Sequence, residues 1–352
     1  ITADDAGLSR PAFLALKNSV MPVQNEVTSL DRYISEYVWG GLQRTTSESY
    51  SYGLYGVRDW YSLRNSSDPG IWGRLHLWRT YDYPHITTMY KAMYRIAKDN
   101  PQITTTLSAS EYLQRAYGTA MAMFSVPYSV WPDDLWIPYN TGYMNEAVIP
   151  ALIKDLEAEG LATEAANLRA EWEQKVEHFL SGSGDLFVSE MAFDSTGFES
   201  NQAVARYAVE NAVSLAPADP EGYRQTALEF MDLVKDSNIT VRGWLETAYY
   251  HYGSDYRSNA GDTYTLSYMS QLGGWGILDY ALHFSTDPDQ YLRLGYGSYL
   301  SSWALMNTGT AASNYGYWYP GAANDGACGG GFEASPYNDN WLTLPIRRGA
   351  WF

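Results

Sequence analysis

Apolar residues recur at three- and four-residue intervals through most of this chain, so the pattern predicts helix after helix. Residues 85–100 place Met89, Tyr90, Met93, Ile96 and Ala97 on one helical stripe, which stops at Asn100-Pro101. Ser108-Ala-Ser-Glu111 reads as a capping box opening a second helix that runs to about Phe124. Residues 142–159 repeat the pattern with Ala147, Ile149, Leu152, Ile153 and Leu156, and a tight turn at Gly160 leads into residues 163–180. Two further helices, 201–215 and 222–236, are split by Pro217-Ala-Asp-Pro220. A last pair, 266–284 and 288–306, joins at Thr286-Asp-Pro288.

The connections come in two lengths. Within a hairpin they are short. Between hairpins, at residues 126–140, 184–200, 242–261 and 308–341, they are long, aromatic and rich in glycine. If the hairpins stand around a ring, the short turns fall on one face and the long loops on the other. Functional residues favour loops carried by a rigid scaffold. Residues 184–194 and 50–57 could form short strands without implying a sheet-based fold. Residues 1–84 read as irregular, and nothing marks a domain boundary, so residues 1–352 are expected to form one all-α domain.

Composition narrows the function. The balance of 23 Lys+Arg against 40 Asp+Glu gives a net charge of −17. A surface that acidic repels nucleic acid and anionic membranes, and no basic stripe offsets it. No run is long enough to span a membrane. A single cysteine, Cys328, leaves no intrachain disulfide to form. Two sequons, Asn65-Ser-Ser and Asn238-Ile-Thr, together with few lysines and many Tyr, Trp, Gly and Asn, suit an extracellular protein. The start at Ile1 and the end at Arg347-Arg-Gly-Ala-Trp-Phe352 suggest a piece of a longer or processed polypeptide. Zinc patterns, a phosphate-binding loop, a Gly-x-Ser-x-Gly elbow and a cofactor box are all missing. The Asp-bearing loops would suit at most a structural calcium.

Aromatic residues make up 15% of the chain, with 31 Tyr and 13 Trp. Tyr and Trp combine a large apolar face with a polar handle, so some are expected to line a groove. The densest such stretch is Asn314 to Trp341, where Tyr317, Trp318 and Tyr319 stand beside Asp325, Glu333, Asp339, Asn340 and Trp341 among glycines. Flat aromatic faces stack on the C–H surface of a pyranose, while amides and carboxylates match its hydroxyls.

Several other words share this character: Val38-Trp-Gly-Gly-Leu-Gln43, Trp78-Arg-Thr-Tyr-Asp-Tyr-Pro-His85, Thr141-Gly-Tyr-Met-Asn-Glu146 and Phe193-Asp-Ser-Thr-Gly-Phe-Glu199. With the 318–341 loop, they make the chain resemble the secreted (α/α) toroid carbohydrate enzymes, the six-hairpin glycosidases and toroidal polysaccharide lyases. It is most similar to a subgroup of large proteins of unknown function in which a helical toroid is combined with β-sandwich modules. The resemblance implies an (α/α)6-type toroid acting on a poly- or oligosaccharide. It also implies companion β-sandwich modules, in the same chain or a partner chain.

Two chemistries fit. Hydrolysis needs two carboxyl groups facing the scissile bond, one of them held protonated, and toroids of this kind usually invert. Asp82, Glu146, Asp194, Glu199, Asp325, Glu333 and Asp339 are the candidates, and their number puts hydrolysis ahead. Asp82 could instead cap a helix or pair with Arg79, and helix-start charge explains Glu146, Asp194 or Glu199 equally well. β-Elimination from a uronate needs a cation or amide for the carboxylate and a Tyr or His for the proton. Arg79, Tyr81, Tyr83, His85 and Asn340 would serve. Trp78, Tyr143, Asn145, Asp325 and Trp341 join Tyr317, Trp318 and Tyr319 as expected substrate contacts. A noncatalytic sugar-binding domain is the third reading. The 78–85, 145–146, 194–199 and 318–341 clusters are expected to converge on one cleft.

Overall fold

The computed structural model describes residues 5–56, 59–133, 138–182, 186, 196–242 and 269–307. The protein is mostly helical. Among the described residues there is no β-strand, and the two isolated bridges join Trp39 to Gln43 and Gln43 to Leu54. The chain divides into two compact units, Ile1–Gly184 and Asp185–Phe352. No described helix is long and apolar enough to cross a membrane.

The first unit contains α1 (Asp5–Val20), α2 (Gln24–Tyr33) with a π-helical turn at Ile34–Val38, and the short α3 (Trp60–Arg64). A 3-10 turn (Thr80–Asp82) then leads into α4 (Tyr83–Asp99), followed by α5 (Ala109–Val130), α6 (Val148–Ala158) and α7 (Ala162–Leu180). Helix α4 is the centre of this unit, packed against α1, α5 and α6. It is therefore buried on nearly every side: Ile86, Met89, Tyr90, Met93, Tyr94 and Ile96 are inaccessible, and so are His85, Thr87 and Thr88. Each large apolar side chain removed from water here contributes about 1.5–3 kcal/mol.

The helix signals in the sequence are realised in detail. At Ser108 the hydroxyl accepts the Glu111 N–H at 3.3 Å, and the Glu111 carboxylate accepts the Ser108 N–H at 2.8 Å. Gly160 takes φ +75°. Its N–H bonds to Glu157 O and that of Leu161 to Leu156 O, at 3.0 and 2.9 Å. This pair of bonds is the Schellman turn that a glycine permits. Helix α6 begins at Val148 rather than near Gly142, because Asn145 sits at φ +63° and interrupts the helical path.

Residues 1–84 are less irregular than their pattern suggests, since they carry α1 and α2. In α1 the buried stripe is Leu8, Ala12 and Ala15, while the larger Phe13, Leu16 and Val20 are exposed, which hides the helical period. The expected strand at 50–57 reduces to one bridge, because Tyr50 and Tyr52 adopt φ of 54° and 64°. This loop is held instead by Gln43, whose side chain donates to Thr119 Oγ1 at 2.8 Å and accepts from Tyr90 OH at 2.9 Å.

The second unit contains α8 (Thr196–Glu210), α9 (Ala212–Leu215), α10 (Pro220–Arg242), α11 (Met269–His283) and α12 (Pro288–Asn307). Helix α8 packs on α10 and α11, and α11 pairs with α12 across a short turn. Phe198 and Val234 meet Leu186 in its core, with Phe230 against them. The single helix expected over 201–215 breaks at Asn211, whose backbone leaves the helical region at φ −113°. Apart from Leu186, the expected strand at 184–194 lies outside the described residues, as do residues 243–261 and 308–341. Of the two sequons, Asn65 is exposed after α3, whereas Asn238 is 1% exposed within α10.

Gly118 gives a direct test of the α5 packing. A Cβ at this position would lie 2.3 Å from the Tyr52 ring. Helix propensity alone favours alanine over glycine by about 1 kcal/mol. Overpacking by one methyl costs roughly 1–3 kcal/mol when the neighbour is held. Gly118→Ala is therefore expected to lower the melting temperature; a raised value would show that Tyr52 is free to move.

Candidate functional site

The polar candidates of the first unit are assembled by two short segments that flank helices. One is the 3-10 turn and first turn of α4, which carry Arg79, Tyr81, Asp82 and His85. The other is the turn before α6, which carries Thr141, Tyr143, Asn145 and Glu146. Pro84 at the start of α4 suits the fixed φ of a helix N-terminus and needs no amide proton there.

The second segment is organised by a residue of α7. Lys175 is fully buried, and its ammonium donates to Thr141 O, Glu146 Oε1 and Glu146 Oε2, each at 2.6 Å. Three protons meet three oxygens. The same ammonium lies 4.9 Å from the centre of the Tyr143 ring. Glu146 Oε2 also accepts the Tyr143 N–H at 3.1 Å, closing the turn from the other side. Burial lowers the Lys175 pKa from its ordinary value, and the charge of Glu146 opposes that shift.

This brace fixes Asn145 in its left-handed conformation, which asparagine tolerates better than most residues. The Asn145 amide nitrogen then lies 2.7 Å from His85 Nδ1. When that amide nitrogen donates, the ring proton resides on Nε2; the reversed amide places it on Nδ1. Asn145 is partly exposed while His85 is buried. Tyr81 and Tyr143 meet edge to face with centroids 4.7 Å apart, joining the two segments. Burial raises the Tyr143 phenol well above its ordinary value, so it stays protonated at neutral pH, and its hydroxyl bonds with Thr80 and Thr141.

Asp82 occupies the N-cap position of α4 but makes no capping bond; its Oδ1 accepts from Arg79 Nη1 at 3.0 Å in a buried pair. The Arg79 guanidinium also lies 5.8 Å from the centre of the Tyr81 ring. Trp78 is 7% exposed and packs among Trp72, His76 and Trp131. Burial, with the nearby Arg79 charge, lowers the His76 pKa to about 4, so this ring is neutral at neutral pH.

Thus Trp78, Arg79, Tyr81, Asp82, His85, Tyr143, Asn145 and Glu146 all lie in one unit, and contacts link the 78–85 and 145–146 segments. Glu199 belongs to the second unit, 7% exposed in the first turn of α8. Next to it Ser200, Asn201 and Gln202 are also buried, and Gln202 Nε2 donates to Asp279 Oδ2 at 3.0 Å. Asp194, Tyr317, Trp318, Tyr319, Asp325, Glu333, Asp339, Asn340 and Trp341 lie outside the described residues. The sequence reading missed Lys175, Trp72, His76 and Trp131. Lys175 left a signal: it falls on the buried stripe of α7 with Leu168, Trp172, Val176 and Phe179.

Residues 2–216 match a family of unknown function, DUF5695, and the chain belongs to that family. The matched region covers all of the first unit but Ile1 and extends through α9. No curated protein and no solved structure matches the chain.

The brace makes a thermodynamic prediction. Lys175→Met leaves Glu146 buried without its cation, an arrangement that typically costs 3–5 kcal/mol, taken as roughly that here. Adding Glu146→Gln should recover a large part of the loss, because the stranded charge disappears. Urea denaturation of the two single variants and the double variant measures this coupling. Strictly additive losses would show that the two groups act independently.

Proposed function

We propose that this DUF5695 protein is a secreted enzyme that cleaves glycosidic bonds in a poly- or oligosaccharide. In this reading its helical hairpins form a toroid, and it works beside β-sandwich modules of the same or a companion chain. It requires no cofactor. The alternation of short turns and long aromatic connections supports the toroid, and the polar-aromatic segments around α4 and α6 support the sugar substrate.

Of the two chemistries, β-elimination from a uronate is the one that the geometry of the first unit favours. The observation that carries it is the 2.7 Å contact between Asn145 and His85, residues sixty positions apart, in the two segments that Tyr81 and Tyr143 also join. The two nearby carboxylates are committed to cations, Asp82 to Arg79 and Glu146 to Lys175. Each carboxylate is thus engaged by a cation of the protein itself, whereas elimination needs no pair of carboxyl groups. Asn145 and Arg79 would offset the charge of the substrate carboxylate, making the adjacent C5 proton more acidic. His85 or Tyr81, both buried in the structure as it stands, would take that proton once substrate binding uncovers them; the C4–O bond breaks as the C4=C5 double bond forms, and a proton returns to the leaving oxygen.

Hydrolysis is the second reading, and the placement of Glu199, buried in the first turn of α8, favours it by holding a carboxyl group away from bulk water. Its partner carboxylate would come from Asp82, Asp194, Glu333 or Asp339.

Product analysis separates these readings. Incubation with uronate-rich plant gums and arabinogalactan is expected to release an unsaturated uronide absorbing at roughly 230–235 nm, the signature of elimination. His85→Ala and Asn145→Ala should each lower kcat by about 100-fold or more while the fold persists. Saturated reducing sugars, lost in Glu199→Gln, would overturn elimination in favour of hydrolysis. Binding without any product would remove both.

A further inference from the structure

We propose that Trp72 is a sugar-stacking platform, a subsite for a non-reacting pyranose unit of the substrate chain. Among the described residues it is the one exposed tryptophan, at 59%. An indole left that open loses the stabilisation that burial would give it. Yet it is held in place rather than left to swing.

The support comes from a set of rings beneath it. Trp72 meets His76, Trp78 and Trp131 with centroids 5.6, 5.3 and 5.6 Å away, at interplanar angles of 62°, 80° and 65°. Edge-to-face packing of this kind is a favourable aromatic geometry and fixes the plane of the supported ring. The supports are locked to one another: Trp78 lies 4.9 Å from Trp131 and 5.1 Å from His76. The Trp78 indole N–H also donates to Ile71 O at 3.1 Å, tying the platform's own backbone to its base.

The loop is equally constrained. Asp68 Oδ1 accepts the Gly70 N–H at 2.8 Å, and Asp68 O accepts the Arg74 N–H at 2.9 Å. Gly73 passes so close that a Cβ there would lie 2.3 Å from Asp68 O. A binding platform benefits from this rigidity, because less conformational entropy is lost when a ligand settles on it.

The surroundings select the ligand. A docking patch for protein is a contiguous apolar area. Here the exposed neighbours in the loop include Asn65, Ser67, Asp68 and Arg74, which hydrogen-bond. One rigid aromatic ring among amide, hydroxyl and charged groups matches a pyranose, with its C–H face and its rim of hydroxyls. The platform's base, Trp78, is the chain neighbour of Arg79, so the loop that carries the subsite leads directly into the segment that carries the polar cluster of α4. The inference rests on the glycan-cleaving reading and adds a substrate-length preference: a sugar bound here contributes to affinity, not to bond breaking, so its loss should appear in KM.

Affinity electrophoresis in gels containing gum arabic, polygalacturonate or soluble arabinogalactan tests it with the full chain. At least one polymer is expected to retard the wild type. Trp72→Ala should weaken that retention by roughly 5- to 20-fold, with KM raised to match and kcat nearly unchanged, while Trp72→Tyr should retain most of it. A thermal melt like that of the wild type shows that Trp72→Ala is folded. If the wild type is retarded and Trp72→Ala is retarded equally, the subsite is wrong and the glycan reading stands. A fall in kcat at unchanged KM would also overturn the subsite. Wild type that neither binds nor cleaves any of the three polymers overturns both.

Discussion

The polar site of the first unit depends on one ion pair sealed from water. Lys175 carries its ammonium into a fully buried place where, among the described residues, its hydrogen bonds go to Thr141 O and the two Glu146 oxygens. Desolvation works against that charge, and the short contacts offset it. Because three acceptors are needed to satisfy three protons, the turn from Thr141 to Glu146 has little freedom. The left-handed backbone of Asn145 and the placement of its amide against His85 follow from that constraint. The contact between α4 and the turn before α6 is thus positioned from α7.

The same logic assigns the carboxylates. Asp82 and Glu146 sit at helix starts, where a charge could simply favour the helix dipole. Instead each is spent on a buried cation, and Asp82 makes no cap at all. Ion pairing of this kind orients and holds. It makes these residues supports for the two segments that carry Arg79, Asn145 and His85.

The aromatic residues divide along physical lines. Tyr55, Tyr81, Tyr83, Tyr90, Tyr94, Tyr112 and Tyr143 are buried, with hydroxyl partners that include Leu77 O for Tyr83 and Gln43 for Tyr90. They supply core volume and tie loops to helices. Trp72 does neither: it stands exposed over the buried rings of His76 and Trp78 and the half-buried ring of Trp131.

Much of the fold was legible in the sequence because helices are local. The capping box at Ser108, the stop at Asn100 and the turn at Gly160 depend on residues within a few positions of each other, and each appears where the pattern put it. Helix α1 was obscured because its exposed face carries the larger apolar residues, and α6 starts late because Asn145 obeys the brace rather than the local period. The candidate site was legible in kind: Trp78 to His85 and Tyr143 to Glu146 were marked by their chemistry, and contacts join them. Their roles were not legible. Whether a carboxylate caps a helix, pairs with a cation or gives up a proton depends on what lies across from it, and Lys175 stands twenty-nine positions from Glu146. Likewise the number of tryptophans was plain from the chain, but which of those in the described residues are supports and which faces water was decided only when the loop at Trp72 folded over Trp78 and Trp131.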